Sequence, residues 1–79
     1  MKNIQNIINT IEAAKSLSYE ILNSTNTVVI VIEDFKGFDK DWNEIIVRID
    51  AAEVAWAEAL DGEEVDGWKI ITEWASEDI

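Results

Sequence analysis

Nearly all the side chains that could do chemistry in this chain are carboxylates: 17 Asp and Glu among 79 residues, with no histidine and no cysteine. Without histidine the chain lacks the commonest general base and the commonest transition-metal ligand. Without cysteine it lacks thiol nucleophiles, disulfides and thiolate zinc sites. Carboxylates alone leave two options, holding a hard cation or acting as an acid–base pair in a cleft that raises one pKa. Asp39, Asp41, Asn43 and Asp50 stand at the first, third, fifth and twelfth places of a calcium-loop spacing, with Ile46 at its apolar eighth place. The sixth place, where the loop needs glycine for its sharp turn, holds Glu44, and the twelfth holds Asp in place of a bidentate Glu. The pattern therefore predicts a solvated hairpin turn and no metal site.

Asp61, Glu63, Glu64 and Asp66 form the second acidic cluster, on a loop punctuated by Gly62 and Gly67. Little apolar bulk stands nearby to raise a carboxylate pKa. So small a domain is also expected to lack room for both a core and a substrate pocket of ~300 Å³ or more. Ser24, Thr25 and Ser76 have no base beside them, and no pair of glycines has the spacing of a phosphate loop. The expectation is a chain with no catalytic residue, no cofactor and no enzymatic activity.

What the carboxylates can do is present charge. Residues 1–49 hold seven acids against five bases; residues 50–79 hold ten acids against one base, Lys69. The net charge of −11 exceeds the magnitude of about 2–8 that solubility asks of a small domain. A field of one sign steers partners of the opposite sign and disfavours direct contact with nucleic acid or anionic membranes. The predicted partner-binding set is Glu58, Asp61, Glu63, Glu64, Asp66, Glu73, Trp74, Glu77 and Asp78. An aromatic set among carboxylates is a common anchor-and-rim pattern at protein interfaces, and Trp74 stands between Glu73 and Glu77. Trp42, beside Asp41 and Glu44 and close to Asp39, is the next candidate anchor. At least two of the four tryptophans are expected in the core.

These residues must be positioned by one small domain spanning 1–79. Ile4, Ile7, Ile8, Ile11, Ala14, Ser18, Ile21 and Leu22 fall in one stripe at helical spacing, predicting a long first helix opened by Asn3 and closed by Asn23 to Asn26. Thr27 to Glu33 is β-branched and apolar on both faces, as a central strand should be. Lys36 to Asp41 supplies a turn, and Trp42 to Asp50 alternates as a second strand of a hairpin. Asp50, three residues before Glu53, opens a helix over Ala51–Leu60 that Asp61-Gly62 ends. That helix carries five alanines and is apolar nearly all round, so it asks for cover on more than one side. Trp68 to Trp74 is read as a strand on β-propensity. The predicted fold is α+β in the order α-β-β-α-β. A right-handed crossover would set the last strand beside the first, giving a three-stranded sheet of order 2-1-3 with two helices on one face.

In its size, its lack of Cys, His and Pro and its concentrated negative charge, the chain resembles small phage-encoded inhibitors of host defence nucleases, the anti-CRISPR and anti-restriction proteins that act as nucleic-acid mimics. The resemblance implies an inhibitor that occupies the basic nucleic-acid-binding surface of a nuclease complex by competing for the Lys and Arg that hold phosphates. The alternatives are a self-associating assembly module, paired as a homodimer through the alanine-rich helix, and an antitoxin or immunity protein. No signal-peptide h-region and no membrane span is read, which makes the cytoplasm, the host's if the chain is phage-encoded, the expected location.

Overall fold

Asn3 opens the first helix, α1 (Ile4–Ala13), its side chain accepting the Asn6 N–H at 2.8 Å. Ile7 and Ile11, one turn apart, are the buried pair on its inner face. In the structure, a computed structural model, residues 3–47 and 50–77 are described; of 34–37, 46–47 and 76–77 only the backbone is considered. The helix stops at Ala13 because the chain is gripped from outside. The Glu53 carboxylate, 38 residues away, accepts the Lys15 N–H at 3.0 and 3.1 Å and the Ser16 N–H at 3.0 Å. Charge-assisted bonds of this kind are stronger than the helical bonds they replace. Ser16 is itself buried. Its hydroxyl accepts the Asp50 N–H at 3.1 Å and its carbonyl accepts the Glu33 N–H at 2.8 Å, so one residue ties three segments together.

Released from the helix, Leu17-Ser18-Tyr19-Glu20-Ile21-Leu22 alternates and forms β1 (Leu17–Leu22). A 3₁₀ turn over Asn23–Thr25, with Asn26 left-handed at φ 48°, carries it into β2 (Thr27–Phe38). The remaining elements are β3 (Glu44–Val47), α2 (Ala51–Leu60), β4 (Glu64–Val65) and β5 (Trp68–Glu77). Asp50 caps α2 through Ala52 N–H (2.9 Å) and Glu53 N–H (3.3 Å). The reciprocal half of the capping box is replaced, since Glu53 turns to the α1–β1 bend instead.

Four strands lie side by side in the order β1-β2-β5-β4, and β3 pairs with the distal part of β2. β1 and β3 run antiparallel to β2 while β5 runs parallel to it. Phe35 is opposite Glu77 in β5 and also opposite Val47 in β3, so β3 continues the β1 side of β2. The core joins Ile7, Ile11, Ala57 and Leu60 of the helices to Leu17, Ile30, Ile32, Val65 and Ile70 of the sheet. These strand residues share one face by register, so both helices cover that face. Val29, Val31 and Ile71 line the other.

The three-stranded sheet of order 2-1-3 is thus corrected, although the α+β class holds. Residues 17–22, expected to extend the first helix, are an edge strand. Their apolar residues satisfy both a helical and a two-residue period, and the Glu53 contact decides between them. Two-residue β4 is too short to announce itself in a pattern. Lys36, Gly37 and Phe38, expected in a turn, continue β2, and the turn lies at 39–43. Arg48 and Ile49, expected in the second strand, lie outside the described residues. Among the described residues no helix is long and apolar enough to cross a membrane.

Candidate interaction site

β2 has twelve residues, and beyond Ile32 its β1 partner is gone. Beyond Phe35 no described residue pairs with it on the β5 side, so among the described residues Lys36–Phe38 pair with β3 alone. The result is a projecting two-stranded arm. It accounts for a radius of gyration of 14.2 Å and a long axis of 49 Å, where a compact chain of this length would have a radius near 12 Å.

The tip of the arm is organised by Asp39. Its main-chain N–H donates to the Asn43 carbonyl (3.1 Å), and its carbonyl accepts the Trp42 N–H (3.0 Å). Its carboxylate accepts the N–H groups of Asp41 (2.8 Å) and Asn43 (3.0 Å) and the Asn43 side-chain amide (3.2 Å). The Asn43 N–H and then its side-chain amide, helped by Asp41, hold the Asp39 carboxyl below the usual carboxylate range. Trp42 sits inside this frame at φ 63°, in the left-handed region that turns ordinarily reserve for Gly, Asn or Asp. Its side chain is 82% exposed. Phe38 lies beside it, with centroids 6.3 Å apart and planes at 50°, inside the range of a favourable aromatic pair. Phe38 and Ile45 are exposed too, and the rim carries Asp39, Asp41 and Glu44 against Lys40.

The tip therefore presents two adjacent aromatic rings on a turn whose hydrogen bonds are already made, within a mostly acidic rim. Rigid aromatic anchors with polar rims are what protein interfaces concentrate their binding energy in. The calcium-loop spacing resolves into turn chemistry, because the Asp39 carboxylate is used by the N–H groups of its own loop.

The nine residues expected to form the partner surface are scattered. Asp61 Oδ1 accepts the Thr72 N–H at 2.9 Å, and Asp66 Oδ2 accepts the Ile4 N–H at 2.7 Å, so both hold elements of the fold together. Glu63 is half-buried, and its carbonyl accepts the Ile70 N–H at 2.9 Å. Glu58 is exposed on α2, in the helical layer, whereas Glu73 is exposed on the sheet face opposite the helices. Glu64 is exposed on β4, opposite Lys69. Trp74 is 53% exposed, on the helix-covered face by its register with Ile32. The Glu77 side chain and all of Asp78 lie outside the described residues. Glu58 and Glu73 thus stand on opposite sides of the sheet.

A groove of about 520 Å³ opens between the helices, lined by Ala13, Ala14, Leu17, Ala52, Glu53 and Trp56 among others. The expectation that the domain lacks such a volume is corrected. Small alanines on both helices leave the space, and among the described residues the one ionisable group lining it, Glu53, is committed to the α1–β1 bend. No family model, no curated protein and no solved structure matches the chain.

Proposed function

We propose that this chain is a non-enzymatic acidic binding protein that engages a basic protein surface with its arm, Trp42 and Phe38 serving as the anchor. The partner surface is of the kind that otherwise holds nucleic acid, and the chain acts as an inhibitor by occupying it. A host defence nuclease complex, the target of the small phage inhibitors this composition resembles, is the partner class we put forward.

The observation that carries the proposal is Trp42, exposed on a left-handed backbone that five hydrogen bonds involving Asp39 maintain. A tryptophan held there contributes little burial to the fold, and backbone strain of this type concentrates at functional positions. The net charge of −11 supplies the selection of a basic partner and fast, salt-dependent association.

The test is capture of bacterial lysate proteins on immobilised chain, with elution by a salt gradient, run in parallel on wild type and Trp42→Ala. The proposal expects a basic nucleic-acid-binding protein that leaves wild-type beads last and Trp42→Ala beads much earlier. Identical elution from both, or retention that salt does not weaken, would count against it.

A further inference from the structure

We infer that β1 is a docking edge for an extended basic segment of another protein, which adds to it as an antiparallel strand alternating basic and aliphatic residues. β1 pairs with β2 on one side, and no described residue pairs with the other. The Ser16 carbonyl accepts the Glu33 N–H, so Ser16 faces β2. Main-chain groups alternate sides along an antiparallel strand, which turns those of Leu17, Tyr19 and Ile21 outward. Natural edge strands are usually blunted by lysine, proline, a bulge or a covering segment. β1 contains neither lysine nor proline, and its register with β2 has no bulge. An edge in this state offers a row of main-chain donors and acceptors to an incoming strand. The opposite side of the sheet differs. There β4 pairs with the start of β5, and the Asp61 carboxylate takes the Thr72 N–H beyond it.

Charge selects the occupant. Glu20 is exposed on β1, on the face opposite the helices by its register with Val29. The Glu12 carboxylate lies on the helix side, bonded to the Tyr19 hydroxyl at 2.9 Å. The Glu53 carboxylate stands at the start of the strand, where it accepts the Lys15 and Ser16 N–H groups. Lys15 is the base of the same stretch. Carboxylates thus flank the edge on both faces, in a chain of net charge −11. A second copy of this chain, or a nucleic acid, meets that field as a like charge, whereas a basic segment is drawn to it. Nucleic acid also lacks the peptide N–H and C=O groups that complete a ladder. The order of side chains follows from the register. Leu17, Tyr19 and Ile21 share the helix-covered face with Ile32, Ile30 and Val28, and Ser18, Glu20 and Leu22 share the other. Residues directly opposite in paired strands point to the same face. Aliphatic side chains of the added strand therefore meet Tyr19 and Ile21, the latter 40% exposed, and basic ones flank Glu20. Antiparallel addition is the more stable pairing per residue.

β1 and the arm tip are separate surfaces, so this contact can fail while the arm still binds. The probe is a peptide as long as β1, six residues, alternating lysine and valine and blocked at both ends so that lysine carries its only charges. Titrated into the full chain to about 1 mM, it should slow hydrogen exchange at the Tyr19 and Ile21 amides at least about twofold, as half occupancy requires. The Ser18 and Glu20 amides, already turned to β2, should change little. A glutamate–valine peptide of the same length should leave all four as they are. Ile21→Pro removes an outward N–H and leaves the β1–β2 ladder whole, so it should weaken binding about fivefold or more. Glu20 is exposed, so Glu20→Lys keeps the fold even where Ile21→Pro loses it, and should weaken binding about tenfold. Unchanged exchange at Tyr19 and Ile21, an equal effect of the glutamate peptide, or protection confined to the amides around Trp42 would overturn the proposal, as would full-strength binding by Glu20→Lys or by a folded Ile21→Pro.

Discussion

If the arm is the interface, replacing Trp42 by glycine separates binding from folding. Trp42 is 82% exposed, so of the roughly 250 Å² a tryptophan presents only about 45 Å² is covered in the free protein. At about 25 cal/mol/Å², losing that contact costs about 1 kcal/mol. Against this, the left-handed backbone at φ 63° strains any residue with a Cβ, by about 1–2 kcal/mol, and glycine relieves the strain. Glycine's larger chain entropy takes back about 0.5–1 kcal/mol. The expected net change in stability is within about 1 kcal/mol of zero. Binding behaves differently, because the roughly 200 Å² still in solvent is what the partner would bury. Loss of such an anchor costs about 2 kcal/mol or more, close to a thirty-fold fall in affinity. Urea melts followed by far-UV circular dichroism give the first number, and titration against the captured partner gives the second. Trp42→Ala is the internal control. It removes the ring and keeps the strain, so it should be less stable than Trp42→Gly by about 1 kcal/mol. A stability loss above about 2 kcal/mol in the glycine variant would show that Trp42 holds the fold together, and unchanged affinity would remove the arm from the interface.

Glu53→Ala strips two main-chain N–H groups of their acceptor, that of buried Ser16 among them, and should cost about 1–3 kcal/mol in a urea melt. A change below about 0.5 kcal/mol would mean that the α1–β1 bend is held by other contacts. Trp74→Ala should cost about half of the 3–5 kcal/mol of a core tryptophan, since Trp74 is 53% exposed; a full-sized loss in a thermal melt would place it in the core. The Asp39 carboxyl is held below its ordinary value, so its contribution to the turn is present above that value and lost as pH falls through the lowered one. Carboxyl and amide shifts followed by NMR should show Asp39 titrating below the ordinary aspartate range, with the Trp42 amide moving in step; an Asp39 that titrates within that range would refute the hydrogen-bonded tip.

The elements that local pattern alone determines were legible in the sequence. Thr27–Ile32 is β-branched throughout and lies in the central strand. Asp50 with the alanine-rich run behind it forms the capped helix α2, and the parallel return of the chain through that helix sets β5 beside β2. What was hidden depended on contacts distant in sequence. Residues 17–22 carry both apolar periods at once, and the choice between helix and strand rests on a carboxylate 38 residues away. Asp61 and Asp66 are read from composition as partner-facing charges, and composition does not disclose that each also receives an N–H, of Thr72 or Ile4. The tip was half legible. Asp39, Asp41 and Asn43 announce a turn, and Trp42 beside them was already an anchor candidate, but a left-handed tryptophan contradicts every local preference. Only the hydrogen bonds around Asp39 disclose it.

Whether the arm fills a site where nucleic acid otherwise binds is decided by competition on the captured partner. Duplex DNA titrated into the complex at fixed ionic strength should displace the wild-type chain, and added chain should displace bound DNA in turn. Trp42→Gly should compete about thirty-fold less well. A stable ternary complex of partner, DNA and chain, with neither ligand weakening the other, would contradict it.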